Sequence, residues 1–367
     1  MQQTLYPKLI LDALSTVRYP GTGRNIVESD MVADDITING RHVSFTLQFS
    51  RPTDPFIKSL VKAAEAAIKT YASEDAEVIV NVKTLPVATP ERTNPLPGVK
   101  NIIGISSGKG GVGKSTVASN LAVALAAEGY SVGLLDADIF GPSAPTMFGI
   151  EGEQLYIHQV DGQDKIIPAE KYGVKVLSIG LLVDKNASLT WRGGMASRAL
   201  TQLITDADWG SLDYFLIDMP PGTSDIHLTL VQTLALTGII IVTTPQEVAL
   251  ADARRGYTMF TDDKVNVPVL GLVQNMAWFT PEKHPDEQYY IFGKDGGAAL
   301  ARELNIPLLA DIPLVGRIRE GGDNGAPIAL NSESLTAQAF RHLARETVDA
   351  VERRNANLPP TAKVTLK

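Results

Sequence analysis

The sequence predicts an α/β fold, a mostly parallel sheet with helices on both faces, preceded by a small α+β domain. Three observations carry this. From Val99 to about Asn355 short apolar runs (NIIGIS, VGLLD, YFLID, GIIIVTT, VLGLVQN) alternate with helical patterns; such runs are buried on both faces, as the strands of a covered parallel sheet are. Before residue 88 the pattern is different, with strict apolar and polar alternation in HVSFTLQF. Between them lies TPERTNPLPG, with three prolines and no apolar period, which reads as a stiff, extended linker. At 367 residues the chain exceeds what one core holds, about 250 to 300 residues. The expected division is residues 1–88 as a small α+β domain, 89–98 as linker, 99–356 as the sheet domain, and 357–367 as a disordered tail.

In the first domain a helix is expected around Lys8 to Thr16, then a turn at Pro20-Gly21-Thr22-Gly23. HVSFTLQF, residues 42–49, puts Val43, Phe45, Leu47 and Phe49 on one face. Asn39-Gly40 offers a hairpin turn before it. PFIKSLVKAAEAAIKTYA, residues 55–72, reads as an amphipathic helix and AEVIVNVKT, residues 76–84, as a further strand.

The second domain opens with its strongest motif. GKGGVGKST follows the strand NIIGIS and opens the helix TVASNLAVALAAEG, so Gly108, Gly113, Lys114 and Ser115 satisfy G-x-x-x-x-G-K-[ST] between strand and helix. Backbone N–H groups of such a loop turn inward around phosphate oxygens, and the helix N-terminus adds positive potential. Gly108, Lys109, Gly110, Gly111, Val112, Gly113, Lys114, Ser115 and Thr116 are therefore expected to hold ATP. Lys114 is expected at the β- and γ-phosphates, and the Ser115 hydroxyl on Mg²⁺.

LLDADIFGPS places Asp136 and Asp138 at the C-terminal end of the second strand, where ligands of parallel sheets collect. Asp136 reads equally as a satisfied strand-end carboxylate or as a group near Mg²⁺. YFLIDMPPGTSD ends the third strand on Asp218, in position to hold Mg²⁺ through water. Pro220, Pro221 and Gly222 form a switch whose Gly222 N–H is aimed at the γ-phosphate. Asp225 is a weaker candidate, because an Asp at a helix start is also ordinary capping. Asn275 ends the fifth strand, where its amide either meets the adenine edge or closes a turn.

Composition excludes several classes. Lys plus Arg is 33 and Asp plus Glu 41, and the net charge of −8 disfavours nucleic acid and anionic lipid surfaces as partners. There is neither an apolar run of about 18 residues nor a signal-peptide pattern, so a cytoplasmic protein is expected. The absence of cysteine removes disulfides, thiolate nucleophiles and cysteine-ligated zinc or iron–sulfur sites within the chain. His42, His158, His227, His284 and His342 are scattered without ligand spacing.

With Lys109, the loop K-G-G-x-G-K-[ST] resembles the deviant Walker A family of ParA and MinD partition ATPases, nitrogenase iron protein and Mrp/ApbC proteins. The resemblance implies a homodimer with ATP between subunits, in which Lys109 reaches the partner's nucleotide. It gives Asp138 the task of holding the attacking water and is consistent with base recognition by Asn275. LSTVRYPGTGRNIVESDMV, residues 14–32, is similar to the iron–sulfur assembly domain that precedes the ATPase in many Mrp proteins. WRGG, with Arg192, resembles the WRGPM segment of Mrp proteins. The function implied is that of a slow ATPase that binds and delivers iron–sulfur clusters, with scaffold proteins and apoproteins as partners.

One departure stands out. Mrp proteins usually carry C-P-x-C between N-M and I-F-G, whereas here AWFTPEKHPDEQYY fills that interval. A cluster is then expected only with non-cysteine or partner-supplied ligands. His284 with Asp286 or Glu287 suits isolated Fe²⁺ or Zn²⁺ better than a sulfide-rich cluster. The aromatic stretch from Trp278 to Phe292 reads instead as a docking or dimer surface, with plain core packing as the alternative. The alternatives are a ParA/MinD-like positioning ATPase, against which the charge and the lack of a basic C-terminal amphipathic helix argue, and an ATP-switched adaptor.

Overall fold

The computed structural model describes all residues except 1–4, 21–22, 30, 50–53, 85–94, 161, 183–192, 282, 285, 362 and 365–367. The chain forms two compact units, Met1–Thr93 and Asn94–Lys367. Most of the expected linker, like Arg192, lies outside the described residues.

The first unit runs α1 (Pro7–Leu14), β1 (Thr37–Asn39), β2 (His42–Phe49), α2 (Ile57–Tyr71), β3 (Glu77–Thr84). The alternation in β2 buries Val43, Phe45, Leu47 and Phe49, which pack with Ile10 and Leu14 of α1 and Leu60 and Ile68 of α2. β1 lies antiparallel and β3 parallel to β2, on opposite sides of it. The hairpin turn falls one residue later than expected. Asn39 pairs with His42, so Gly40 and Arg41 form the loop, in a register that sets Ile38 directly across from Val43.

The second unit begins with β4 (Val99–Ser106), α3 (Lys114–Ala127), β5 (Val132–Asp136) and α4 (Ala144–Phe148). It continues with β6 (Ile157–Val160), β7 (Gln163–Ile166), β8 (Ala169–Lys171), β9 (Val174–Ser178), α5 (Gly193–Thr205), β10 (Leu212–Asp218) and α6 (Asp225–Thr233). β11 (Gly238–Thr243), α7 (Glu247–Thr261), β12 (Val269–Phe279), α8 (Gly296–Glu303), β13 (Leu308–Leu314), α9 (Gly316–Asp323) and α10 (Leu335–Asn357) complete it. Eight strands form one sheet in the order β13-β12-β11-β4-β10-β5-β9-β8, parallel except for β8. Alternate residues of each strand supply the two cores: Ile103 and Ile105 pack with Val117, Leu121 and Phe340 on one face, and Ile102 packs with Phe215, Ile217 and Leu230 on the other. α3 is enclosed on nearly every side, with Val117 through Leu125 all buried. Its N-terminal end is thereby set on a rigid support.

β4 sits between β10 and β11, while β5 lies beyond β10. The C-terminal ends of β4, β10 and β5 therefore share one rim, at the point where strand order reverses and ligands of open α/β sheets collect. The tail differs from expectation. Val364 is buried and its N–H donates to the Val231 carbonyl at 3.1 Å, while Arg354 Nη2 donates to the Pro359 carbonyl and to Thr361 Oγ1. An apolar residue that fills the core beside α6 is what holds this segment in place. Among the described residues no helix is long and apolar enough to cross a membrane.

Candidate functional site

The loop from Gly108 to Gly113 joins the end of β4 to α3, with Gly113 as the N-cap of that helix at φ +80°. A residue with a Cβ is strained there. Gly108 has the other constraint: a Cβ on it would lie 2.1 Å from the Asp252 carbonyl carbon in α7, so the loop backbone packs directly on that helix. Lys109 is exposed, and its carbonyl accepts from Ser107 Oγ at 3.0 Å.

Lys114 and Asp218 are buried, at 6% and 2% exposure, and form an ion pair. Lys114 Nζ also donates to Ser115 Oγ at 3.2 Å. Ammonium, hydroxyl and carboxylate thus meet at one point, which brings Lys114, Ser115 and Asp218 together. Burial raises the Asp218 carboxyl above its ordinary range, the Lys114 ammonium opposes that shift, and the nearby Asp138 carboxylate adds to it.

Asp136 proves to be the satisfied strand-end carboxylate. It accepts from the backbone N–H of Asp138 at 3.1 Å, Ser143 at 3.0 Å and Ala144 at 3.1 Å, and from Ser178 Oγ at 3.0 Å. Burial, with the Asp218 charge facing it, pushes its carboxyl up to about 7. These bonds hold the turn in which Asp138 lies. Asp138 is half-buried at the rim and accepts from the Gly141 N–H at 3.1 Å.

Gly222 and Asn275 both have hydrogen-bond partners within the chain. The Gly222 N–H donates to the Ser107 carbonyl at 2.9 Å, so the turn after β10 is fastened to the residue that leads into the loop. Asn275 does not end its strand, since β12 continues to Phe279. Its Nδ2 donates to the Val112 carbonyl at 2.8 Å, because Gly113, having no side chain, lets the amide close on the loop. Asn275 also lines a cavity of about 420 Å³ that starts at Gly113 and Thr116 and is walled by Met147, Met276, Leu314 and Ile318. Asp225 is exposed in the first turn of α6 and meets none of these groups.

His227 was not singled out by sequence. Its ring is fully buried, and Nδ1 accepts the Ser224 N–H at 3.1 Å. Burial lowers its pKa to about 4, with the Lys114 charge pushing the same way. The S-x-x-H spacing at a helix start was the available signal, since the third helical residue reaches back to the N-cap amide.

In the interval that resembles the C-P-x-C segment by its ends, Phe279 and Tyr289 exchange backbone hydrogen bonds of 2.8 and 2.9 Å. Trp278 and Phe279 are half-buried, while Tyr289, Tyr290 and Ile291 are exposed. His284 faces Glu287 at 3.4 Å in solvent, and among the described residues no three His, Cys, Asp or Glu side chains cluster as a metal site. Gln274 anchors the far end of this segment by accepting the Gly297 N–H at 2.7 Å.

Comparison with known proteins adds to this geometry. Residues 98–348 match the family described as ParA, NUBPL iron-transfer P-loop NTPase, and residues 8–80 match the family described as iron-sulfur cluster assembly protein. The chain is 45% identical over 345 residues to the iron-sulfur cluster carrier protein of Synechocystis, covering 93% of this chain and 97% of that protein. It is 45% identical over 260 residues to the iron-sulfur cluster transfer protein NUBPL of Mus musculus, covering 70% and 79%. Among solved structures, the nucleotide-binding protein of Archaeoglobus fulgidus in complex with ADP is similar at 36% identity and a TM-score of 0.55, covering 63% of this chain and 88% of that one. MinD of Pyrococcus horikoshii with Mg-ADP is similar at 25% identity and a TM-score of 0.50, covering 69% and 98%.

Proposed function

Because this chain belongs to the ParA-type family of NUBPL iron-transfer P-loop NTPases, we propose that it binds and slowly hydrolyses ATP and uses that cycle to deliver iron–sulfur clusters to apoproteins. The observation that supports this most directly is the meeting of Lys114, Ser115 and Asp218 beside a glycine loop at the head of α3. The Ser115 hydroxyl and Asp218 carboxylate are hard oxygen donors, a set that fits Mg²⁺. They would hold it directly and through water respectively, and the bound ion would neutralise phosphate charge.

The chain's own groups do the rest. Loop N–H groups and the α3 N-terminus position the β- and γ-phosphates. Lys114 stabilises charge that develops as water attacks the γ-phosphorus and the bond to the β–γ bridging oxygen breaks, releasing ADP and phosphate. Asp138 orients the water. In a homodimer, Lys109 of a second copy adds its charge, which agrees with its exposure at the rim. Loss of phosphate then relaxes the turns after Asp138 and Asp218 and opens the dimer.

The cluster is cargo, and the chain offers it no thiolate. Its ligands therefore come from the scaffold, the client or a small thiol, and the stretch from Trp278 to Phe292, with Tyr289, Tyr290 and Ile291 exposed, serves as the docking surface. The work is cytoplasmic. The test is an anaerobic transfer assay from a loaded scaffold to an apoprotein, with ATP or ADP. The expected result is ATP-dependent acceleration by a chain that itself stays colourless after incubation with iron and sulfide. Acceleration of equal size without nucleotide, or without phosphate release, rules the reading out.

A further inference from the structure

Met276 has a backbone φ of +55°, a left-handed conformation that is uncommon for residues other than glycine and is held only where the surroundings over-determine it. It lies in β12 directly after Asn275, where the register with β13 shifts between Asn275 and Phe279. The kink has two local results. Asn275 is turned onto the phosphate loop, where its amide holds the Val112 carbonyl. The Met276 side chain lines the 420 Å³ cavity, and its methyl carbon comes within 3.7 Å of where a Cβ on Gly113 would sit.

That cavity begins at Gly113 and Thr116, the residues that end the phosphate loop, and its other apolar walls are Met147 of α4 and Leu314 and Ile318 next to and within α9. A ligand whose phosphates lie in the loop carries its next group into this space, which is of the size and apolar character of small-molecule sites. A thioether on an unbranched stem is polarisable and adapts to an aromatic face.

We propose that Met276 is a positioning and specificity residue of the nucleotide site: its thioether packs on the nucleobase, and its left-handed backbone keeps Asn275 on the phosphate loop. One residue then sets both base affinity and loop geometry. This rests on the reading of the site as an ATP site.

The test uses the full chain with three variants and two ligands, Mg·ATP and Mg·tripolyphosphate, the second having no base. Met276→Gly accepts the kink and lacks the side chain; it is expected to bind ATP about tenfold more weakly, from the lost apolar contact, with tripolyphosphate binding as in the wild type. In turnover the loss falls on KM for ATP. Met276→Leu, which keeps the bulk, restores ATP affinity. Met276→Val, β-branched and incompatible with the kink, weakens both ligands because Asn275 is pulled from the loop.

A glycine variant that binds ATP normally, or that loses ATP and tripolyphosphate equally, overturns the base contact. A folded valine variant with normal tripolyphosphate binding overturns the positioning role, and if that variant does not fold, the glycine and leucine arms still decide on the base. A wild type that binds tripolyphosphate and ATP equally well also refutes the proposal. One that binds neither refutes the ATP reading itself.

Discussion

Lys114 and Asp218, 104 positions apart in sequence, form an ion pair in which neither side chain retains more than 6% of its solvent exposure. Such a pair is weak evidence for stability as a whole, but breaking it from one side leaves an uncompensated buried charge. Lys114→Ala is therefore expected to abolish phosphate release and also to lower unfolding free energy by roughly 3 to 5 kcal/mol. Lys114→Met combined with Asp218→Asn should recover most of that stability with no recovery of activity. Chemical denaturation of the single and double variants measures the first effect, and phosphate release the second.

Asn275→Ala removes the donor that satisfies the Val112 carbonyl. A buried acceptor left unpaired costs about 1 to 3 kcal/mol. The variant should lose that much in urea unfolding and also bind Mg·ATP more weakly, since the loop loses its brace. Unchanged nucleotide affinity would separate Asn275 from the loop's geometry.

Gly108→Ala tests packing rather than charge. The added methyl would meet backbone of α7, which, unlike the end of a flexible side chain, cannot swing aside. The loop must lift from the helix, and nucleotide binding should be lost while the circular dichroism of the chain stays native. Tight ATP binding by this variant would show that the loop tolerates displacement.

His227 makes stability depend on pH in a definite direction. Its folded pKa is lowered to about 4 from 6.5, so between those values the unfolded chain binds a proton that the folded chain does not. Stability therefore falls as pH drops from 6.5 toward 4, by about 1.4 kcal/mol per unit at most. Asp136, raised to about 7 from 3.8, works in the opposite direction, so the comparison must be between variants. His227→Gln keeps an acceptor for the Ser224 N–H and removes the titration. The stability difference between it and wild type, followed by urea unfolding from pH 7.5 to 4.5, should shift in favour of the variant with acidification.

The motifs that were legible in sequence were those whose chemistry is local. GKGGVGKST lies between one strand and the next helix, Asp218 directly follows an apolar run, and Asp138 comes two residues after the run that ends on Asp136, so spacing placed all of them at strand ends. β9 and β13 were missed because Lys175 interrupts VKVLS and Asp311 and Pro313 interrupt LLADIPL, masking the apolar runs that mark buried strands. The intrachain contacts of Gly222 and Asn275 were not legible for a different reason. Both residues lie where expected, but their hydrogen bonds go to Ser107 and Val112, and no periodicity specifies which backbone groups a tertiary fold brings alongside.

The position of β4 in the sheet governs how the protein comes into being. Its hydrogen-bonded neighbours are β10, residues 212–218, and β11, residues 238–243, and the Asn275 brace lies later still. A nascent chain carrying the whole phosphate motif thus has no phosphate site until well over a hundred further residues have been translated. The first unit, by contrast, closes its contacts within the span from Pro7 to Thr84. Pairing at such separation slows folding and leaves apolar strands waiting. A chain halted before residue 275 would carry every diagnostic residue of the loop without the amide that braces it, so during synthesis the motif exists long before the site does.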